Sequence, residues 1–503
     1  MTSAKTTTTR KPSLLLALLP IIVLVALLSL NVIYYGDGAT SGANQIALII
    51  AAGVAALAGL FLKVSFRDIM HNVVRSISDS MTAILILLLI GALAGTWLIS
   101  GIVPTMIYYG LKVLNPTIFL MASVIVCSVV SLATGSSWST VATVGIALLG
   151  IGKALNIPDG IIAGAIISGA YFGDKMSPMS DTTNLAPAMA GTDLFTHIRY
   201  MTITTVPTLA ITLIIFLVFG FFNGNSTTSA DTHALSDTIV KHFHITPVLF
   251  IVPAVVIWMI VKKVHAIPAL LAGSLLGGIC AVIFQPEVIK EVAGSGGSYA
   301  RQAYQAVINA MAVEVKVNTT NEIANGLLKA RGMTGMLNTI WLILCALSFG
   351  GCMEAAGLLR RITSPLVKKA KSTGSLVATT AGSCMFINLT ASDQYLSIVV
   401  PGKMFAQTFR ERGLAPQNLS RTLEDSGTVT SVLVPWNTCG ATQTAVLGVA
   451  TGTYLPYCFF NIISPIMTMF FAYAGIKIAR LKEGSTLTEE NAPEPIDMDT
   501  RTN

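Results

Sequence analysis

Between Gly169 and Thr192 the chain reads GAYFGDKMSPMSDTTNLAPAMAGT, a polar and charged stretch set inside an otherwise apolar run. Pro178 and Pro187 remove backbone donors and are expected to break a helix there. Only 11% of the 503 residues are charged, 53% are hydrophobic, and the mean hydropathy is +0.72. A soluble domain carries about 25% charged residues, so the surrounding runs read as membrane spans. In lipid, a broken helix survives only where its freed carbonyls face protein, water or an ion. Charged residues at such a break mark a functional site. The plainer alternative is a loop between two helices.

The fold class expected is an all-α polytopic membrane protein. The positive-inside rule is satisfied by about ten transmembrane helices plus two helix–break–helix hairpins, with two discontinuous helices and both termini cytoplasmic. Residues 1–12 form a cytoplasmic tail, 13–222 a first half, 223–245 an outer linking loop, and 246–482 a second half. Within the second half, 286–336 reads as a partly helical outer segment, and 483–503 is a polar cytoplasmic tail. The hairpins run from Pro116 to Leu155 about a polar knot at 134–140, and from Ser375 to Phe405 about a knot at 388–394. The discontinuous helices break near Pro178 and near VPWNTCG, 434–440.

These features recur at a nearly constant spacing. Residue 81 opens a span whose counterpart opens at 337, and Pro178 corresponds to Pro435. The first member of each pair crosses outward and the second inward, so the halves form an inverted-topology repeat. Such repeats place the substrate site near midplane, where the discontinuous helices meet. Trp138 and Trp436 are read as corresponding residues, and Gly135, Gly169 and Gly173 as points of close backbone approach.

The polar knots suit a small hard cation, which takes oxygen ligands. The first half offers Thr134, Ser136, Ser137, Asp174, Ser177, Ser180, Asp181, Thr182, Thr183 and Asn184. The second offers Asn388, Thr390, Ser392, Asp393, Asn437 and Thr438. A buried carboxylate can bind either a proton or Na⁺, and that competition suffices for antiport. Asp174 and Asp181 lead as exchange groups, followed by Asp393 and Glu354. Lys175 is the expected charge partner of Asp174. Glu424 and Asp425 follow a basic stretch and read as surface charges, and Asp193 as the start of a helix near water.

His242 and His244 read as a solvated loop, and the seven cysteines as small buried residues. The formal charge of +7 lies in short loops and sets topology rather than signalling nucleic acid. No nucleotide, protease or hydrolase motif is present, so no enzyme activity and no cofactor is expected, only ion gradients. Homodimer formation through lipid-facing surfaces is compatible with the sequence.

ISGAYFGDKMSPMSDTTNLAPAMAGTDLFTHIRYM (167–201) closely resembles the signature of NhaC-type sodium/proton antiporters. GTWLISGIVPTMIYYGL (95–111), SLATGSSWSTVATVGIALLGIG (131–152) and LILCALSFGGCMEAAGLL (342–359) share the resemblance. It implies a carrier of the bacterial inner membrane that exchanges Na⁺, and Li⁺ with it, for H⁺. The segments 134–140, 174–184, 388–394 and 435–440 would hold cation and substrate. The same resemblance extends to malate/lactate exchangers and amino-acid carriers, for which a small carboxylate would join Na⁺ and H⁺ as a partner.

Overall fold

A computed structural model describes residues 12–481 apart from 36–38, 40, 114, 224–228, 295–296, 320–321 and 363–369. The expected tails, parts of both outer loops, and the basic residues Lys368 and Lys369 therefore lie outside the described residues. Of the described residues, 81% are helical. Its strands, among the described residues, are one short antiparallel pair, Val315–Lys316 with Lys329–Ala330. Among the described residues, seven helices are long and apolar enough to cross a membrane. Two bent pairs, broken at 88° and 54°, raise that number to nine. The all-α polytopic expectation agrees with this.

Both hairpins and both broken helices are present. The first hairpin rises through Pro116–Thr134, where Asn115 caps the first turn by accepting from the Thr117 amide and Pro116 occupies the first helical position. It turns at Gly135 (φ 69°) and returns through Ser137–Thr140, a π-helical turn at Val141–Gly145, and Ile146–Ala154. The first broken helix is Asp159–Met176 followed by Asp181–Ala190. The second hairpin is Thr373–Thr390 with Leu396–Glu411. The second broken helix is Pro416–Leu423, continued by a π-helical turn at Glu424–Thr428, then Thr438–Leu447 beyond the break. The helix Ile102–Val113 was not expected. At twelve residues it is too short to span, and its sequence carries no charge until Lys112 to mark it off from the preceding span.

The repeat is visible in detail. Asp159 and Pro416, Asp181 and Thr438, and Leu194 and Thr451 open equivalent helices. In this register the left-handed residue at the first tip, Gly135 (φ 69°), corresponds to Ser392 (φ 61°) at the second. The helix-ending Gly191 (φ 81°) corresponds to Gly448 (φ 66°). One brace is duplicated: Ser131 Oγ donates to the Ala170 carbonyl at 2.6 Å, and Asn388 Nδ2 donates to the Gly427 carbonyl at 2.7 Å. The same register pairs Trp138 with Tyr395 rather than with Trp436. Trp138 follows a hairpin tip, whereas Trp436 lies in the second helix break, so the expected tryptophan correspondence is corrected.

The halves interlock. Ala43–Phe61 and Phe66–Asp79 pack on Leu337–Ala355, while Ala266–Phe284 and Tyr299–Ala312 pack on Met81–Ile99. Tyr299–Ala312 belongs to the 286–336 segment and buries Ala303, Ala306 and Ala310. There, a methyl group at Gly95 would overlap the Ala310 carbonyl. Gly95→Ala is expected to destabilise by about 1–3 kcal/mol through overpacking. Gly53→Ala, where nothing lies within 4 Å, should stabilise by roughly 0.5–1 kcal/mol from helix propensity. Melting of the detergent-solubilised variants checks both signs.

Candidate functional site

The first helix break follows from Ser177-Pro178, where proline cannot donate to the preceding turn. The carbonyls freed at Asp174 and Lys175 accept from Thr183 Oγ1 at 3.2 and 3.0 Å. Pro187, expected to cause a second break, lies inside Asp181–Ala190 without ending it. It forfeits one backbone donor, and the helix stops only at the left-handed Gly191.

The first hairpin tip docks onto this break. A side chain at Gly135 would come within 2.7 Å of Met179, so only glycine permits the approach. Docking brings Ser137 onto Asp174, whose Oδ2 accepts from the Ser137 amide at 3.1 Å and from its hydroxyl at 2.7 Å. Asp174 is 7% exposed. Gly169 and Gly173 likewise approach backbone, at the Val124 and Ser128 carbonyls.

The second half repeats the arrangement with different side chains. Asp393 caps the returning arm by accepting from the Leu396 amide at 2.9 Å. Asn437 Nδ2 donates to the carbonyl and side chain of Asn388 at 3.1 and 3.2 Å, and the Thr438 amide donates to the Ser392 carbonyl at 3.0 Å.

A cavity of about 520 Å³ lies between the two docked tips. Of the residues singled out in the sequence, Asp174, Asp181, Asp393, Thr134, Ser136, Ser180, Thr182 and Thr438 line it. Asp181 is exposed and stands in the first turn of its helix, where the macrodipole favours a carboxylate. Others serve the scaffold. Ser177 Oγ accepts from the Met179 amide, Asn184 Nδ2 donates to the Pro178 and Ser180 carbonyls, and Thr390 Oγ1 donates to the Phe386 carbonyl. Glu354 is exposed near the end of its helix and does not line the cavity. Asp193 accepts from the Thr196 amide at 2.9 Å, and the hydroxyl and amide of Thr196 hold its carboxyl below the ordinary carboxylate range. Asp79 and Lys263 also line the cavity and were missed, because they sit at span ends. Ser139 lines it too; it lies inside the expected 134–140 knot but was not singled out there.

Two further expectations fail. Lys175 pairs with Asp425, not Asp174, and both side chains are fully buried. Lys175 Nζ also donates to Ser464 Oγ at 3.1 Å and lies 5.6 Å from the centre of the Phe460 ring. The second oxygen of Asp425 accepts from Thr204 Oγ1 at 2.9 Å. Glu424 and Asp425 are thus interior residues, because the helix from Pro416 runs on through the π-helical turn and every residue from Asn418 to Thr428 is buried. Glu424 Oε1 accepts from Thr182 Oγ1 at 3.1 Å, and Arg421 stacks on Tyr200 at 4.6 Å. The repeat register held the signal: it matches Pro416 with Asp159, the start of the first broken helix.

Paired hairpin tips docked on paired broken helices, around a carboxylate-lined cavity in a bundle of membrane-crossing helices, define a polytopic carrier. The model of the Na⁺/H⁺ antiporter family matches residues 169–476, and the chain belongs to that family. It is 37% identical to the Na⁺/H⁺ antiporter NhaC of Alkalihalophilus pseudofirmus over 87% of this chain and 91% of that one. It is 36% identical to the malate-2H⁺/Na⁺-lactate antiporter of Bacillus subtilis, covering 89% and 92%. It is 34% identical to the arginine/ornithine antiporter ArcD of Halobacterium salinarum, covering 96% of each. The resemblance to NhaC-type antiporters read from 167–201 is borne out.

Proposed function

We propose that this protein exchanges Na⁺, and Li⁺ with it, for H⁺ across the bacterial inner membrane by alternating access, with both termini cytoplasmic. The observation that carries this reading is Asp174: a carboxylate at a helix break, lining a cavity, and held by one neighbouring serine. Cavity-lining hydroxyls of Thr134, Ser136 and Ser180 complete an oxygen shell suited to a hard cation. A proton on Asp174 removes the charge the cation needs, so each displaces the other. Exchange of the docked tips between two packings would expose that group alternately to either side. Asp393, at the tip of the second hairpin, shares the cavity; the repeat register pairs it with Ser136 rather than with Asp174.

Purified protein in proteoliposomes, given only Na⁺ and a pH gradient, tests the proposal. Na⁺-dependent collapse of the gradient supports it. Exchange that appears only after malate, lactate or an amino acid is added overturns it. Competition also sets the pH dependence: on the acid side, the KM for Na⁺ should rise about tenfold per pH unit at constant maximal rate. A fall in maximal rate at unchanged KM would argue against a shared site.

A further inference from the structure

Building on that reading, we infer that the same cavity binds small organic cations, compounds carrying an ammonium or guanidinium group on a short apolar chain. Size is the first argument. About 520 Å³ is room for roughly seventeen waters at about 30 Å³ each, and it lies within the range of about 300–1,000 Å³ found for pockets that bury whole organic ligands. A bare alkali cation needs a small fraction of it.

Charge is the second argument. Asp79, Asp174, Asp181 and Asp393 line the cavity, and none of them forms an ion pair among the described residues. Lys263 is the single lysine or arginine among the lining residues. An organic anion would meet this excess of carboxylates, so the lining selects against a free carboxylate and for a cation.

The lining between the acids is aromatic. Trp138 and Tyr395 occupy equivalent positions just after the two hairpin tips, and both line the cavity. Tyr395 keeps 46% of its surface exposed, and Trp138, packed on one side against the apolar core, is half-buried, so both rings retain surface toward the cavity. Aromatic faces beside carboxylates are the means by which proteins hold ammonium and guanidinium groups, through cation–π attraction. Ser139 adds a directional group. It is 1% exposed, it lines the cavity, and its Oγ has no hydrogen-bond partner among the described residues. A buried hydroxyl left without a partner is costly, and an N–H donor on the ligand would satisfy it.

Agmatine is a suitable probe, with arginine as the matched compound that adds a carboxylate. ²²Na⁺ uptake by proteoliposomes is measured at fixed pH with each compound, and binding of labelled agmatine to the full chain in detergent is measured in parallel. Agmatine is expected to raise the KM for Na⁺ at least tenfold at constant maximal rate, with arginine at least fivefold weaker. Trp138→Leu should raise the agmatine inhibition constant tenfold relative to the KM for Na⁺, while Tyr395→Phe, which keeps the ring, should shift that ratio less than twofold. Normal Na⁺ uptake with no agmatine binding overturns this inference and leaves ion exchange standing. Agmatine binding without Na⁺ uptake does the reverse. Arginine acting as strongly as agmatine would refute the selection against carboxylates.

Discussion

Asp174→Asn is expected to abolish Na⁺/H⁺ exchange, lowering turnover at least 100-fold, while the protein still folds and inserts. The amide is nearly isosteric with the acid and can still accept from the Ser137 amide and hydroxyl, which hold Asp174 at 3.1 and 2.7 Å. It carries no charge for a cation and takes up no proton in the working range, so both halves of the competition disappear together. Ser137→Ala should be milder. It removes one hydrogen bond to a charged group, worth about 1.5–3 kcal/mol, and leaves the amide contact in place. Asp181→Asn should be milder still, because an exposed carboxylate acts on the ion through solvent-screened attraction. Asp393→Asn separates two roles. Asn caps a helix about as well as Asp, so lost transport with retained stability would assign Asp393 to ion exchange rather than to the cap. Transport in proteoliposomes, with melting temperature as the control, reads the series. Full exchange by Asp174→Asn would refute the central role of this carboxylate.

What could be read in the sequence was whatever leaves a local mark. Pro178 and Pro435 in apolar runs announce helix breaks, because a missing donor in lipid must be made good by polar neighbours. Thr183 and Asn184 are those neighbours at the first break. The hairpin tips were legible for the same reason, since Gly135 and Ser392 accompany polar knots at turns. Function was legible because 167–201 is long and specific. The partner of Lys175 was not, because Asp425 is 250 residues away and meets it only through tertiary packing. Local sequence even pointed wrongly: Arg410, Arg412 and Arg421 ahead of Glu424 look like a cytoplasmic loop, yet Arg421 is buried against Tyr200. Charge-based topology rules count residues near span ends and assume that charges avoid the interior. A helix arm that carries charges into the bundle defeats that assumption. The repeat is the better guide here, because equivalent arms must begin at equivalent places.

The second large effect concerns that buried pair. Asp425→Ala is expected to destabilise the protein by about 3–5 kcal/mol, the usual cost of removing one member of a buried ion pair. Lys175 would then keep Ser464 Oγ and the Phe460 ring as neighbours but lose its ion-pair partner. Thr204 would lose its acceptor on Asp425 as well. Replacing both charges, as in Lys175→Met with Asp425→Leu, should recover most of the loss, because well-packed apolar residues often equal or exceed a buried ion pair in stability. The double variant also discriminates between two roles for the pair. If it only joins the Asp159–Met176 helix to the π-helical turn at Glu424–Thr428, the stabilised double variant should transport at a rate near that of the unmodified protein. If the pair must open and close as the broken helices alternate, the double variant should melt normally and transport at least tenfold more slowly. Coupling favours the second outcome: Lys175 directly follows Asp174, so a charge change at the cavity reaches Asp425 through one peptide unit. A double variant that neither melts lower nor transports more slowly would reduce the pair to scaffold.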